Sequence, residues 1–324
     1  MGRVIVGVVG MILLAVTACT ESPPQPSPPT DRIPGLALTE TEAVAVAADY
    51  DNRNNAAIAS TVKASSDRPW NDVDTGPSLA ADRFFTAVAW NGGARLTPLR
   101  ITFIPKATWA NPFTSYPIWA ITRVGVQYEP TPPPGSADEL LVVFRREAAS
   151  APWLAEMTMQ LMGVPNLPDD RAGTTTPADV DAAATTMNEL VAFLEQGTRP
   201  DFYITPVLDD LRDLLSVPKD DAAATSATCR PFAGTTSPRD SLRVVRSASG
   251  VLSVMTVVCR QTTTAKPGHT ITRPAGFAKA LGVPDTPATT LTQSWAVMVA
   301  VSRPIKGRAV AVAADFSSIR SDGP

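Results

Sequence analysis

The residues best suited to polar binding lie close together near the start of the folded part of the chain. Asp49–Asn55 reads DYDNRNN and combines carboxylates, amides and one guanidinium group. Two interpretations are open. These side chains form a binding site, with Asn54 and Asn55 as its candidate ligand-binding residues, or they are the solvent face of a helix with one asparagine bonded to a neighbouring loop.

A second set of candidates is aromatic. Trp109, Phe113, Tyr116 and Trp119 crowd a predicted loop between two strands. Aromatic side chains there can line a ligand mouth or contact a partner, or they can pack the loop onto the sheet. Trp109, Tyr116 and Trp119 are therefore speculative binding residues, and both interpretations are kept.

Nucleophilic catalysis has little support in the sequence. Ser216 and Lys219 match the Ser-x-x-Lys spacing of penicillin-binding enzymes, whose chemistry needs both residues on one helical turn. Pro218 falls where the preceding helix should end, and the companion Ser-Asp-Asn and Lys-Thr-Gly motifs are missing. The single histidine, His269, lies in a polar segment typical of an exposed turn. No catalytic residue is predicted.

Metal and cofactor chemistry is equally unsupported. Asp209, Asp210 and Asp213 lack the spacing of a calcium loop and suit the solvated face of a helix. The sequence has no His/Cys cluster for zinc and no glycine-rich phosphate loop. We therefore predict no metal and no cofactor.

One cysteine has a clear chemical context. Arg3 precedes the apolar run Val4–Val16, which is shorter than the roughly 20 residues needed to cross a bilayer and suits a secretory signal. The segment Val16–Cys19 resembles the bacterial lipobox, which implies diacylglycerol transfer to the Cys19 thiol and cleavage of residues 1–18. Several acyl chains on one cysteine give stable anchoring. The alternative is a plain secretory peptide with an incidental cysteine.

The segment after Cys19 predicts a tether. Thr20–Pro34 reads TESPPQPSPPTDRIP, which cannot bury enough apolar surface to fold and favours extended polyproline II. At about 3.1 Å per residue it would span roughly 45 Å. We assign residues 19–38 to this tether, which would hold the folded part away from a membrane.

The other two cysteines, Cys229 and Cys259, suggest a disulfide. Exported proteins meet an oxidising compartment, and two cysteines remain once Cys19 is lipidated. Closing a loop of about 30 residues would stabilise the fold by about 3.5 kcal/mol in the chain-entropy model. Two buried free thiols are the alternative.

Composition narrows the classes of partner. The 324-residue chain has 28 Lys and Arg against 31 Asp and Glu, for a net charge of −3, and 44% of its residues are hydrophobic. A core of good size is therefore possible. Phosphate binding needs clustered basic residues, and no basic block is present, so we predict no nucleic-acid partner.

Periodicity predicts the elements that must position these residues. Helices are expected from about Thr39 to Val62 and over 78–90, followed by strands at 101–104, 118–128, 140–146 and 153–160, the first ended by Pro105. A second series has helices at 178–196 and 206–216 and strands at 241–246, 251–264, 293–302 and 308–316. Residues 267–287 form a polar excursion between the later strands.

Helices first and sequential strands afterwards indicate an α+β fold with antiparallel sheet. Because both series have this order, and Ile118–Ile121 (IWAI) resembles Ser294–Val297 (SWAV), we predict two similar units at 39–165 and 178–324, joined by a linker at 166–177. Each unit would pack its helices on one face of a curved sheet, similar to nuclear-transport-factor-like or cystatin-like folds.

The chain also resembles a group of uncharacterised actinobacterial lipoproteins that carry a domain of unknown function. The resemblance rests on the lipobox, the Pro-rich tether and a set of short motifs: Asn54-Asn55-Ala56, Thr75-Gly76-Pro77, Phe103-Ile104-Pro105, Tyr116-Pro117-x-Trp119 and Gln261-Thr262-Thr263-Thr264. It implies membrane attachment and no established activity, and it supplies no catalytic residues.

These observations predict a lipid-anchored protein on the extracytoplasmic face of the cell membrane. It would act as a non-catalytic module that binds an envelope protein, a lipid or a cell-wall component. A surface hydrolase and a solute-binding lipoprotein of an uptake system are the alternatives.

Overall fold

A computed structural model describes residues 35–64, 66–93, 99–132, 136–162, 167–168, 174–216, 222–232, 241–273 and 276–320. The leader, Cys19 and most of the tether lie outside these residues, as does Lys219. Residues 35–38, which the sequence predicts as part of the tether, belong to the fold, with Ala37 and Leu38 buried.

The described chain has five α-helices and ten strands. The helices are α1 (Glu40–Ala64), α2 (Gly76–Asn91), α3 (Pro177–Gln196), α4 (Pro206–Ser216) and α5 (Phe277–Leu281), with a 3₁₀ turn at Arg68–Asp72. The first strands are β1 (Arg100–Ala110), β2 (Ile118–Glu129), β3 (Glu139–Arg146), β4 (Leu154–Leu161) and β5 (Phe202–Tyr203). The later strands are β6 (Ala223–Pro231), β7 (Leu242–Arg246), β8 (Gly250–Ala265), β9 (Thr290–Pro304) and β10 (Ala309–Ile319). The predicted α+β class is confirmed.

Local sequence explains where the main helices begin and end. At α3, Thr176 and Asp179 form a reciprocal capping box, and Gly197 ends the helix at a left-handed φ of 74°. At α1, the side chains of Thr39 and Glu42 exchange the same kind of bonds. These caps satisfy backbone groups that would otherwise lack partners at the helix ends.

All ten strands belong to one sheet. Its path runs β1-β2-β3-β4-β10-β9-β8-β6, with β7 beside β8 and β5 beside β10. Pairing is antiparallel except for the short parallel contact of β5 with β10. The last strands of the two series meet at the centre, where Gln160 and Leu161 pair with Ala314 and Ala313.

Three large clusters form the core. One joins α1 to β1, β2 and β3, and another joins α3 and α4 to β8, β9 and β10. The third contains the opposite faces of both strand series, including Ile121, Met157, Val254 and Met298. The faces that the helices leave uncovered therefore share a single core, which joins the two halves of the chain.

The order of elements in the structure agrees with the two-unit prediction, but two other observations do not. Each half does run two helices and then an antiparallel series of strands. The short sequence match, however, places Trp119 on β2, the second strand of its series, and Trp295 on β9, which follows β6, β7 and β8 in its own. In addition, α2 contacts β9 and β10 of the other half as well as β4.

Some strand predictions were wrong at specific positions. β1 does not stop at Pro105 but continues to Ala110, because Pro105 lies on the outer edge of the sheet, where a missing N–H costs no ladder bond. Trp109 therefore belongs to β1 and not to the predicted loop. Trp119 lies on β2, within the strand predicted at 118–128. β6 and α5 were not predicted at all.

Candidate functional site

The Asp49–Asn55 stretch lies in the middle of α1, beside the outer edge of β1. The Asn55 amide donates to Ile101 O and accepts from Ile101 N, both at 2.8 Å. Both carboxylate oxygens of Asp51 lie within 3.1 Å of Phe103 N. Asn54 is buried in the helix interface. Asp51 and Asn55 thus cover backbone groups of an edge strand.

Burial has an electrostatic consequence at Asp51. It raises the pKa of the Asp51 carboxyl to about 6, although the hydrogen bond from Phe103 acts in the opposite direction. The buried carboxylate costs desolvation energy that a single backbone hydrogen bond does not fully offset.

Arg53, on the same helix, connects three elements. Its guanidinium group pairs with Asp49 at 2.8 Å and donates to the carbonyl oxygens of Asp72 and Trp153. This side chain therefore fastens α1 to the 3₁₀ turn and to the start of β4.

Next to Arg53 lies a buried acidic group. The Tyr50 hydroxyl donates to Asp74 Oδ1 at 3.1 Å, and only 1% of the Asp74 surface is exposed. Burial, with the nearby Asp82 carboxyl as the second cause, raises the pKa of Asp74 well above its usual range, and burial also raises the pKa of Tyr50. Two carboxyl groups and a phenol can relay a proton, but the burial of Tyr50 and Asp74 keeps substrate from reaching Asp74.

The aromatic candidates are separated by the fold. Trp109 is 2% exposed and donates from Nε1 to Pro168 O at 3.2 Å. Tyr116 packs edge-on against Phe113, whereas Trp119 lies on β2 with the Arg243 guanidinium 6.0 Å from its ring centroid. They therefore do not form one pocket.

The residue that holds Arg243 in place was missed from the sequence. Glu156 lies at a bulge in β4: Val143 of β3 pairs with Met157, the next residue Phe144 pairs with Ala155, and Glu156 between them has no partner on β3. Such a bulge re-aims a side chain. Glu156 is 4% exposed and accepts hydrogen bonds from Arg145 and Arg243. Because Glu156 and Arg243 are 87 residues apart, no local pattern could have paired them.

The predicted disulfide between Cys229 and Cys259 is confirmed. It crosses between directly opposed residues of β6 and β8, whose Cα atoms are 4.0 Å apart. This close spacing is typical of a pair that exchanges no backbone hydrogen bonds.

The other catalytic candidates stay apart. Ser216 ends α4, and its hydroxyl donates to Arg212 O at 2.7 Å. His269 is exposed in a turn, with its backbone N–H bonded to Lys266 O. Among the described residues no group of His, Cys, Asp and Glu side chains is arranged to hold a metal ion.

A shallow depression of about 290 Å³ lies near the end of α2. Its walls include one carboxylate, Asp67, and one guanidinium group, Arg320. This volume is at the small end of the range of about 300–1,000 Å³ for small-molecule sites. The Arg320 side chain is already bonded to Ala280 O, so the depression carries no ligand assignment.

The two edges of the sheet differ in how they are covered. At β1, the Asn55 and Asp51 side chains hydrogen-bond to the outward backbone groups of Ile101 and Phe103. Pro105 has no N–H, and a bulge follows it. Farther along, Phe113 N donates to Gly35 O and Ala37 N donates to Asn111 O. Proline, bulges and covering segments are the usual means by which an edge is protected from pairing with another chain.

β6 lies at the other edge, and among the described residues only one of its ends has hydrogen-bonding cover. The Cys229 N–H points away from β8 and donates to the Glu195 carboxylate of α3, and Pro231 has no N–H. Strand geometry alternates, so the backbone groups of Thr225 and Ala227 also point outward. Within the described part of the chain, these outward groups have no hydrogen-bond partner. This open edge of β6, residues 223–227, is the candidate functional site.

No described helix is long and apolar enough to cross a membrane. Comparisons with protein-family models, with curated proteins and with solved structures found no match.

Proposed function

We propose that the chain is a lipid-anchored protein of the cell envelope that acts as a non-catalytic binding module. Lipid on Cys19 would hold it at the extracytoplasmic face of the membrane, and residues 20–34 would extend the folded body away from it. The disulfide between Cys229 and Cys259 supports this placement, since such bonds persist in oxidising compartments.

The open edge of β6 is the observation that carries the binding role. An uncovered strand edge is a template for pairing with another polypeptide, and proteins normally block it. This chain blocks β1 by several means, whereas within its described residues the outward backbone groups of Thr225 and Ala227 have no hydrogen-bond partner. A retained open edge is expected in a protein that binds through it.

The two-unit interpretation belongs to the same proposal. The halves 39–165 and 178–324 would be similar units joined through β4 and β10, with α1 supporting the first series of strands and α3 and α4 the second. The shared order of elements supports this interpretation, whereas the short IWAI and SWAV match does not.

The alternatives have less support. A hydrolase based on Ser216 would need a base at its hydroxyl, and that hydroxyl already donates to Arg212 O. A solute-binding protein of the expected kind would need central parallel strands, whereas the described sheet is antiparallel apart from β5.

Mass spectrometry of the mature protein tests the placement. The full chain and a Cys19→Ala variant would be expressed in a bacterium that processes lipoproteins, and both would be recovered from membrane and soluble fractions. We expect the parent in the membrane fraction, beginning at residue 19 with a diacylglyceryl group, and the variant without this modification. An intact leader and an unmodified Cys19 would overturn the proposed placement.

A further inference from the structure

We propose that the open edge of β6 binds an extended, basic polypeptide segment, which adds to the sheet as a further strand. This inference deepens the proposed function, because it names the class of partner for the same site. It rests on two separate features: the uncovered backbone groups of Thr225 and Ala227, and the charge of the helices beside them.

The backbone of β6 is held ready for strand addition. The strand pairs with β8 along its whole length, from Ala223 opposite Ala265 to Pro231 opposite Val257, and the disulfide at Cys229 ties the two strands covalently. A fixed template loses little conformational entropy when a partner strand binds. Affinity would come from main-chain hydrogen bonds to residues 225 and 227.

Small side chains favour close approach of the partner. The strand segment Ala223–Ala227 reads AATSA, and Ala224 and Ser226 are exposed on the face away from the helices. No bulky or charged side chain of this segment stands in the way of an incoming strand. Such a surface imposes little side-chain selectivity, so charge nearby must provide much of the specificity.

The helical layer beside β6 is strongly acidic. Residues 177–216, which contain α3 and α4, carry eight carboxylates and two guanidinium groups, a formal charge of −6 against −3 for the whole chain. Three arginines reach this layer from elsewhere, Arg246 to Asp179, Arg303 to Thr186 and Arg308 to Asp201, and they leave it negative.

This acidic layer lies directly at the open edge. The Glu195 carboxylate of α3 bonds Cys229 N, and α4, which ends at Ser216, also contacts β6. Asp210 and Asp213 are both exposed near that end of α4. Opposite charge attracts a partner and fixes its orientation, so lysine and arginine side chains on the incoming strand are favoured.

Two other occupants are disfavoured. A second copy paired through β6 would bring two acidic layers together, and like charges at an interface are unfavourable. The chain's own tether is a poor strand, because six of the fifteen residues in 20–34 are proline and lack an N–H.

Peptide binding to the full chain in mild detergent tests the proposal. The probe is a fluorescent seven-residue peptide in which lysine alternates with valine and threonine, and binding is followed by anisotropy at low salt. Two control peptides have the same length: one has glutamate for lysine, and the other is N-methylated at alternate backbone amides. We expect the lysine peptide to bind and each control to bind at least tenfold more weakly.

A matched pair of protein variants locates the contact. Thr225→Pro removes an outward N–H that takes no part in the β6–β8 ladder, whereas Thr225→Val keeps that N–H and loses the same hydroxyl contact with Thr263. We expect Thr225→Pro to weaken binding at least tenfold and Thr225→Val to leave it within about twofold. Circular dichroism and thermal unfolding verify that both variants fold.

Each other outcome overturns the proposal. Absence of binding by the lysine peptide, or equal binding by the N-methylated peptide or by Thr225→Pro, would show that the edge is not used in this way. A dimer in sedimentation that Thr225→Pro abolishes would assign the edge to a second copy. An unmodified Cys19 would overturn the envelope placement without changing these peptide affinities, so the two failures are distinguishable.

Discussion

At the scale of single residues, the polar stretch of α1 was visible in the sequence but its role was not. Asp51 and Asn55 each bond a backbone group about fifty positions away, on β1. One of the two interpretations placed an asparagine against a neighbouring loop; the partner is instead an edge strand. Composition identifies side chains that need partners, but it cannot identify partners that only the tertiary fold brings near.

Asn55 should contribute measurably to stability. Asn55→Ala removes both hydrogen bonds to Ile101, so the N–H and C=O of Ile101 on the strand edge lose their partners. We expect the free energy of unfolding to fall by about 1–3 kcal/mol. Urea unfolding gives the free energy. Asn52→Ala, at an exposed position of the same helix, is the control for helix propensity and should not destabilise the protein. Equal free energies for the two variants would show that the Asn55 bonds add nothing.

Asp51 predicts a pH dependence. Its pKa is raised to about 6 in the folded protein and lies near 4 in an unfolded chain. A raised pKa gives stability that is complete below about pH 4 and is lost as the pH rises through 6. Asp51→Asn keeps an oxygen acceptor for Phe103 N but does not titrate, so its free energy of unfolding should gain on the order of 1–2 kcal/mol over the parent between pH 4 and pH 7.

Unfolding curves of both proteins at pH 4, 5, 6 and 7 make this measurement. Asp74, whose pKa is also raised, is present in both and cancels in the difference. Asp285→Asn, at an exposed loop position, is the matched control and should follow the parent at every pH. A constant difference between Asp51→Asn and the parent would contradict the prediction.

At the scale of elements, periodicity predicted the four long helices and most long strands within a few residues. The α4 boundaries follow from Leu208, Leu211 and Leu215 on one face and a proline at its start. The sequence did not predict β6, because its segment AATSATCRP has no alternation of large apolar and polar residues. β1 was cut short because Pro105 normally ends a strand, and only the sheet order shows that it lies on an edge.

The disulfide should determine how firmly β6 is held. In the chain-entropy model, a crosslink over 30 residues stabilises the fold by about 3–4 kcal/mol. The Cys229→Ala, Cys259→Ala double variant should lose about that much in urea unfolding, and the amides of β6 should exchange faster with solvent. Cys229→Ala alone removes the same crosslink and should lose a similar amount. Unchanged exchange in β6 would show that pairing with β8 is sufficient by itself.

At the scale of the whole molecule, the halves are joined by more than the β4–β10 pairing. Residues from both strand series share one apolar cluster, and the Glu156–Arg243 pair joins β4 to β7, with Arg243 beside Trp119, which packs against that cluster. The sequence predicted two units, each with its own sheet. It could not predict this shared core, because apolar strands buried on both faces look alike whether their second face meets a helix or another strand.

The Glu156–Arg243 pair gives a test of that junction. Both side chains are less than a tenth exposed, so removing one leaves the other charge buried without its main partner. Arg243→Met should cost about 3–5 kcal/mol, because the unpaired carboxylate of Glu156 loses its compensation. Arg145, the second partner of Glu156, is more exposed and is shared with Glu147, so it does not replace Arg243.

Replacing both members should cost less than replacing one. In the Glu156→Met, Arg243→Met variant no charge remains buried at the junction, and apolar side chains of similar volume join the shared core. Urea unfolding of the parent, both single variants and the double variant completes the cycle, with Arg260→Ala on the exposed part of β8 as a control for loss of an arginine. If the double variant is less stable than Arg243→Met, the Glu156 carboxylate stabilises the junction even without Arg243, through its second partner Arg145, and the prediction is wrong.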